Sequence, residues 1–167
     1  MEIHRLLEKK KPVILERWLV AIYDTYPADT ARFLEREMDR FSNPVGYHSS
    51  ANACHILEGL IRGEEEATLS SFLEGIIRIR AVQDFTPTQA VSFVSSLKTV
   101  IADQLEPEIR RHNLWSEWEE LQASIDNLTF MAYEIHAKMK QKIQHIRMKE
   151  IEKNERIRIK LMGSPTL

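Results

Sequence analysis

The last third of the chain carries a single helical pattern, and that pattern most constrains the fold. From Ser116 onward, apolar residues recur in alternating steps of four and three, which is heptad spacing. They are Leu121, Ile125, Leu128, Ala132, Ile135 and Met139, after which the stripe drifts through Ile143, Ile146 and Ile151. We expect the first half of this helix to pack on a body and the second half to project from it.

The remaining sequence also favours helices over strands. Glycine is scarce, with 5 in 167 residues, and no alternating strand pattern with a hairpin turn occurs. The hydrophobic content of 43% is enough for a core. We therefore predict an all-α bundle of about five to six helices, followed by a long C-terminal helix. The predicted domains are a body at 1–115, the long helix at 116–162 and a loose tail at 163–167.

Proline, glycine and apolar spacing place the helices of the body. The predicted helices are Pro12–Tyr23, Ala28–Arg40, Pro44–Arg62, one that begins at Glu64–Glu66, and Pro87–Leu105, with residues 1–11 frayed. Pro107 should bend or break the last of these helices. The expected buried positions include Trp18 in the first helix, Met38 and Phe41 in the second, and Tyr47 and Cys54 in the third.

Side-chain caps mark several of these helix starts. Thr86 and Gln89 have the spacing of a capping box, in which each side chain satisfies a backbone N–H of the other residue. Ser116 and Glu119 repeat that spacing at the start of the long helix. The residues assigned to structural motifs at helix starts are Asn43, Pro44, Gly46, Thr86, Pro87 and Gln89.

A polar cluster precedes the Thr86 capping box and is the first candidate site. It consists of Arg78, Arg80, Gln83 and Asp84, at the corner where two helices meet. In a structural interpretation, Asp84 is the buried partner of an arginine and fixes the helix crossing. In a functional interpretation, the cluster binds an anionic ligand or a partner protein. The residues favour the structural interpretation, because buried polar groups usually satisfy one another.

The second candidate site is the basic tail. Net charge is −2, yet residues 138–160 carry nine basic and three acidic side chains, so the rest of the chain is acidic. The residues assigned to a tail interaction surface are Lys138, Lys142, Arg147, Lys149 and Arg156. An anionic membrane surface, nucleic acid or another helix could meet this tail. Helix pairing or partner docking is favoured because the heptads lead into it, and no aromatic residue offers base stacking.

No constellation of residues indicates catalysis or a metal. Phosphate-binding loops, nucleophile elbows and zinc-protease motifs are absent from the sequence. His48 and His55 lie two turns apart without a third ligand, and they are a poor metal site. His136 and Met139 are residue types that hold haem iron, but apolar spacing already explains Met139. We expect no enzyme activity, no metal and no cofactor, with haem as the alternative.

The sequence also bears on the compartment. The single cysteine, Cys54, excludes an internal disulfide and favours a reducing environment. The first residues lack the apolar segment of a secretory signal, and no run approaches the roughly 18 apolar residues of a membrane span. We expect the protein to be cytoplasmic.

Several segments together resemble the N-terminal domain of the RsbR/RsbRD class of stressosome regulators, the RsbT co-antagonists. They are Trp18, Tyr26-Pro27, Phe41 with Asn43-Pro44-Val45-Gly46, and above all Ile79-Arg80-Ala81-Val82-Gln83-Asp84-Phe85, followed by Pro87, Gln89-Ala90-Val91 and Phe93. The resemblance covers about residues 12–105. It implies a bacterial signal-input domain that is helical, globin-like, dimeric and usually free of haem, joined through a helix to an output domain.

The chain departs from that plan after the long helix, where the family's STAS or kinase output domain would follow. We therefore expect a stand-alone, non-enzymatic input module. It should form a homodimer and signal by contact with a protein partner that the sequence does not identify. No nucleic acid is expected, and peripheral membrane contact by the tail is open. The alternative function is a globin-like sensor that binds haem or another small molecule.

Overall fold

The computed structural model describes residues 1–163 and contains six α-helices over that range. The helices are α1 (Glu2–Tyr23), α2 (Ala28–Arg36), α3 (Pro44–Arg62), α4 (Ser70–Val82), α5 (Pro87–His112) and α6 (Trp115–Met162), with a 3-10 turn at Glu66–Leu69 before α4. No strand occurs in the part of the chain that the structure describes. The prediction of an all-α fold with a long C-terminal helix is confirmed. All but the first residue of the predicted loose tail lies outside the described range.

The core forms where α5 lies between α1 and α6, and where α4 lies between α3 and α6. Trp18 of α1 is fully buried at its centre, and its indole Nε1 donates to the Phe93 carbonyl of α5 at 2.6 Å. The Trp18 and Phe93 rings also stack, with centroids 6.3 Å apart. Burial of large aromatic surfaces with a satisfied indole N–H fixes α1 against α5.

Residues 2–11 belong to α1 and Met1 is its N-cap, so the prediction that residues 1–11 fray was wrong. Ile3 and Leu7 are fully buried, and they extend the stripe of Ile14 and Trp18 by two turns. The backbone N–H of Ile3 also donates to Glu117 of α6 at 2.9 Å. Pro12 is tolerated inside the helix because it lies on the exposed face, where water can satisfy the carbonyl that loses its partner.

Helix α5 runs through Pro107 to His112, so the predicted break at that proline was also wrong. Pro107 and Asp103, whose carbonyl loses its helical partner, are both on the exposed face. On the opposite face Leu105 and Ile109 are buried, and their packing keeps the last turns attached. Tertiary burial therefore outweighs the local cost of proline. The helix ends at Asn113, which adopts a left-handed conformation with φ of 52°.

Helix α2 ends four residues earlier than predicted, because the Asn43 side chain takes over its last carbonyls. Asn43 Nδ2 donates to the carbonyls of Leu34 at 3.1 Å and Glu37 at 2.9 Å, while its Oδ1 accepts from the Gly46 N–H at 2.8 Å. One buried amide thus closes α2 and caps α3. A side chain at Gly46 would collide with that amide, with Cβ 2.1 Å from Nδ2. Glycine is required at this position for that reason.

Other predicted faces and starts also differ from the structure. Met38 and Phe41 are 80% and 87% exposed, because they follow α2 instead of lining it. Tyr47 of α3 is exposed and Cys54 is only half-buried. The buried residues of α3 are Gly46, Ser49, Ala53, Ile56, Leu57, Gly59, Leu60 and Ile61. Glu64–Glu66 precede α4, which begins at Ser70 after the 3-10 turn. The spacing of apolar residues predicts helices in this region, but it does not predict which side of each helix packs against the rest of the protein.

Of the two capping boxes expected, one is present. Thr86 Oγ1 accepts from the Gln89 N–H at 3.3 Å, and Gln89 Oε1 accepts from the Thr86 N–H at 3.1 Å. At α6 the helix begins one residue before Ser116, with Leu114 as N-cap and no side-chain cap. The Ser116 box was therefore wrong. Asn113 already turns the chain, and buried Leu114 and Trp118 fix the start of α6 by packing.

Helix α6 has two unlike halves. Its buried residues are Trp118, Leu121, Ile125, Leu128, Ala132 and His136, which face α4 and α5. From Gln144 to Gly163 each residue is exposed. At about 1.5 Å per residue, this exposed half extends on the order of 28 Å beyond the last contact with the body.

Candidate functional site

The side chain of Arg80 lies in the interior of the protein, where it joins three helices. Its Nη1 donates to the Gln89 carbonyl in the first turn of α5 at 3.0 Å, and its Nη2 donates to the Ile22 carbonyl at the end of α1 at 3.1 Å. The carbonyl end of a helix favours positive charge, so α1 supplies a partial counter-charge. Arg80 itself belongs to α4 and is fully buried.

Aromatic rings complete the surroundings of Arg80. Its Cζ lies 5.4 Å from the ring centre of Tyr26, 5.1 Å from Phe85 and 4.9 Å from Phe93, and these faces attract a cation. Burial lowers the pKa of Arg80, but a guanidinium stays protonated in proteins. Burial raises the pKa of the Tyr26 hydroxyl. The charge is therefore held by carbonyls and rings, and its exposure of 0% leaves no surface for a ligand.

Asp84 does not pair with this buried arginine, and the expected Asp84–arginine contact is corrected by the structure. Asp84 follows the end of α4 in a left-handed conformation with φ of 58°. The Phe85 N–H then donates back to the Arg80 carbonyl at 3.2 Å, which is the bond that closes a Schellman turn. The Asp84 carboxylate consequently points outward, while Arg80 turns inward.

Lys140 of α6 closes a clamp over this turn. Its Nζ donates to Asp84 Oδ1 at 3.0 Å and to the Ala81 carbonyl at 3.3 Å. The hydrogen bond from Lys140, and the positive charges of Lys140 and Arg147, lower the pKa of Asp84. We call Asp84, Lys140 and Ala81 the joint, because they connect the end of α4 to α6 just before α6 leaves the body.

His136 lies one turn before the joint and is almost fully buried. Burial lowers its pKa, and so does the positive charge of Lys140, while the Phe85 backbone has the opposite effect. Its Nε2 has no hydrogen-bond partner. His136 is therefore neutral in the folded protein near neutral pH, and it is a titratable group beside the exit of α6.

The other two residues of the predicted corner lie outside the joint. Arg78 is exposed and pairs with Glu74 one turn earlier on α4, at 2.9 Å. It also lines a shallow groove of about 260 Å³ beside α6, together with Met139 and Lys142. Gln83 is exposed. The structure thus divides the four residues between the interior, the joint and the open surface.

The predicted tail surface also divides into two faces. Lys138, Lys142, Lys149 and Arg156 are exposed and follow one another in steps of four and seven, so they share one side of α6. Arg147 lies on another side, where its charge acts on Asp84. The basic face therefore runs along the helix from the exit of α6 toward its end.

A second, exposed apolar stripe on α6 was not recognised in the sequence analysis, which named only its Ile151, as part of the drifting heptad pattern. Its members are Phe130, Tyr133, Met148, Ile151 and Ile159, which are 53% to 69% exposed. Their spacing places them on one side of the helix, turned away from the stripe that contacts the core. The stronger heptad pattern of the core-facing residues concealed this second stripe. Phe130 and Tyr133 lie on the packed half and the other three on the projecting half, with no exposed large apolar residue on this side between Tyr133 and Met148.

Neither a cluster of metal ligands nor a membrane-spanning helix is found among residues 1–163. No group of three or more His, Cys, Asp or Glu is placed to hold a metal ion there. Within the same range, no helix has the length and apolar character needed to cross a membrane. His136 and Met139 lie three residues apart on one helix, so the two side chains cannot bind opposite faces of one haem iron.

The fold and the joint define an all-helical domain that sends one long helix outward from a clamped exit point. The family model described as the RsbT co-antagonist protein rsbRD N-terminal domain matches residues 12–150, more than four fifths of the chain. The chain belongs to this family, whose members are stressosome-type signalling regulators. No curated protein and no solved structure matches the chain. The matched region includes the joint and reaches into the projecting half of α6.

Proposed function

We propose that this protein is a non-enzymatic regulatory module that acts as a homodimer and transmits a signal by protein contact through α6. The observation that supports it best is the outer apolar stripe, whose members lie on one side of α6 in both its packed and its projecting half. Solvent-exposed stripes of this length on one helix usually mark an interface. A cytoplasmic location and the absence of a cofactor are parts of the same proposal.

The dimer is proposed to form by parallel pairing of two α6 helices along the outer stripe. Met148 and Ile151 take the a and d positions of a heptad, which places Arg147 at g and Glu152 at e. In a parallel pair, a g residue meets the e residue five positions later on the other helix, so these opposite charges attract. Gln141, Gln144 and Glu155 interrupt the stripe, and they make the pairing weaker than in a fully apolar coiled coil.

The joint gives this dimer a route for signals from the body. A change at the α4–α5 corner would alter Asp84 and Ala81, which hold Lys140 of α6. The basic face, with Lys142, Lys149 and Arg156, would then present itself to an acidic partner surface in a changed position. A packed corner with a charged clamp can have two discrete arrangements, which is what a switch requires.

The experiment that tests the dimer is sedimentation of full-length Ile151→Glu beside the wild type. The control is Ile157→Glu, the same substitution at an exposed c position on the other side of the helix. We expect the wild type and the control to be dimers and Ile151→Glu to be largely monomeric at the same concentration. A wild type that is monomeric at micromolar concentration, or equal loss in both variants, would refute the pairing along this stripe.

A further inference from the structure

We propose that the groove between α1, α2 and α3 binds a small amphiphilic amine, meaning an apolar molecule that carries one cationic group. This goes beyond the proposed dimer, because the groove is formed by helices other than α6. It has a volume of about 500 Å³, within the usual range for small-molecule sites. No part of the family match or of the joint assigns a role to it.

The walls of the groove are apolar and partly open to solvent. Leu19 and Val20 of α1, Leu34 of α2, Met38 of the following loop, and Tyr47 and Ala51 of α3 form them. At its base, the Tyr23 hydroxyl donates to the Gly46 carbonyl at 3.2 Å, so this buried polar group is already satisfied. Exposed apolar side chains such as Val20 and Tyr47 thus surround a preformed space.

The charged residues that line the groove are all acidic, and the other polar residues of its lining, such as Tyr23 and Ser50, are neutral. Glu16, Glu35 and Glu37 line it, whereas no lysine, arginine or histidine does. None of these three carboxylates forms an ion pair within the described part of the chain. The charge of Glu35 also acts on the Tyr23 hydroxyl and helps to raise its pKa, after the larger effect of burial.

This combination selects the class of ligand. Apolar walls favour a hydrocarbon body, and carboxylates at the edge favour a cation while repelling an anion. The ring of Tyr47 does not serve the ligand cation, because Arg40 already lies over it with Cζ 5.9 Å from the ring centre. A ligand cation would therefore meet the carboxylates from the α1–α2 side of the groove.

The test is titration of the full-length protein with octylamine, octan-1-ol and octanoate, followed by amide chemical shifts at Gly46 and Tyr47. We expect the amine to bind most tightly, the alcohol more weakly and the carboxylate weakest. Glu16→Gln combined with Glu35→Gln and Glu37→Gln should weaken amine binding about tenfold and leave the alcohol unchanged. The matched control is Glu65→Gln with Glu119→Gln and Glu150→Gln, which removes equal charge at exposed positions away from the groove and from the proposed helix pairing.

Three outcomes would overturn the proposal. The first is no saturable shift with the amine, and the second is equal binding of amine and octanoate. The third is displacement of bound octylamine by a synthetic peptide of residues 144–162 at a peptide concentration below the octylamine concentration needed for binding. That result would identify the groove as a protein-docking surface. Ala51→Phe should fill the groove and abolish the shifts, which shows that they arise there. The dimer measurement does not depend on these results.

Discussion

The two halves of α6 have similar apolar patterns but opposite environments. Ile125 and Leu128 of the first half are fully buried against the body, while Met148 and Ile151 of the second half are more than half exposed. Heptad spacing therefore identifies a helix with an apolar side, but it does not say whether that side meets the same chain. The difference between the halves lies in the body, which contributes α4 and α5 to one half and nothing to the other.

Two arginines in α4 show the same contrast at shorter range. Arg78 and Arg80 are two positions apart, so they point to different sides of the helix. Arg78 makes a surface pair with Glu74, and Arg80 is enclosed by carbonyls and rings. Residue type alone assigned both to one cluster. Their energetic roles differ because one charge is solvated and the other depends on the protein for every partner.

The largest expected effect compares the halves of α6 directly. Ile125→Ala should lower the free energy of unfolding by about 2–5 kcal/mol, because it removes buried methylene groups and leaves a cavity. Ile151→Ala should change it by less than about 0.5 kcal/mol when the protein is diluted to the monomer. Urea unfolding followed by far-UV circular dichroism measures both. Equal losses would mean that the projecting half is packed in solution.

The second comparison separates the two arginines. Arg80→Ala should cost about 3 kcal/mol, because the carbonyls of Ile22 and Gln89 each lose the hydrogen bond from Arg80 and a cavity remains. Arg78→Ala should stay within about 0.5 kcal/mol, as expected for an exposed pair on one helix. The denaturant midpoints of the two variants and the wild type measure this difference in stability. A tolerated Arg80→Ala with lost partner binding would instead support the functional interpretation of that residue.

The third prediction concerns the joint. Lys140→Met keeps the apolar stem but removes the donor to Asp84 and Ala81, so the end of α4 should open more often. We expect amide exchange in residues 81–85 and 137–143 to become about two- to fivefold faster, with little change near Ile125. Lys138→Met, an exposed neighbour, is the control. If the exchange rates at the end of α4 do not change, the joint does not connect the body to α6 as proposed.

Much of the fold follows from local sequence. Periodic apolar residues indicate the helices, and the N-caps Asn43 and Thr86 mark the starts of α3 and α5. The errors lie where tertiary contacts decide. Pro107 and residues 2–11 are helical because buried neighbouring residues pack against the rest of the protein. Local sequence patterns do not contain that information. The joint could not be predicted either, because Asp84 and Lys140 are 56 positions apart. Neighbouring residues alone instead suggest that Asp84 pairs with a nearby arginine.

The smallest expected effect is the pH dependence from His136. Its pKa is lowered by burial and by Lys140, so the unfolded chain binds a proton at a higher pH than the folded one. Stability should therefore be complete above the ordinary histidine value of about 6.5 and should decline as pH falls below it. The slope for this group cannot exceed about 1.4 kcal/mol per pH unit. Unfolding midpoints between about pH 7.5 and about pH 5.5 measure it.

His136→Gln should flatten that pH dependence, because glutamine fills the site without titrating. His4→Gln provides the comparison, since burial also lowers the pKa of His4 at the other end of α6's packed half, close to Glu117 and Glu120. Protonation acts at the exit of α6 if the amides of residues 137–143 are less protected from exchange at low pH in the wild type and only His136→Gln removes this loss of protection. If both variants flatten the curve equally and exchange is unaffected, the titration is a property of the packed half alone, and the joint is not involved.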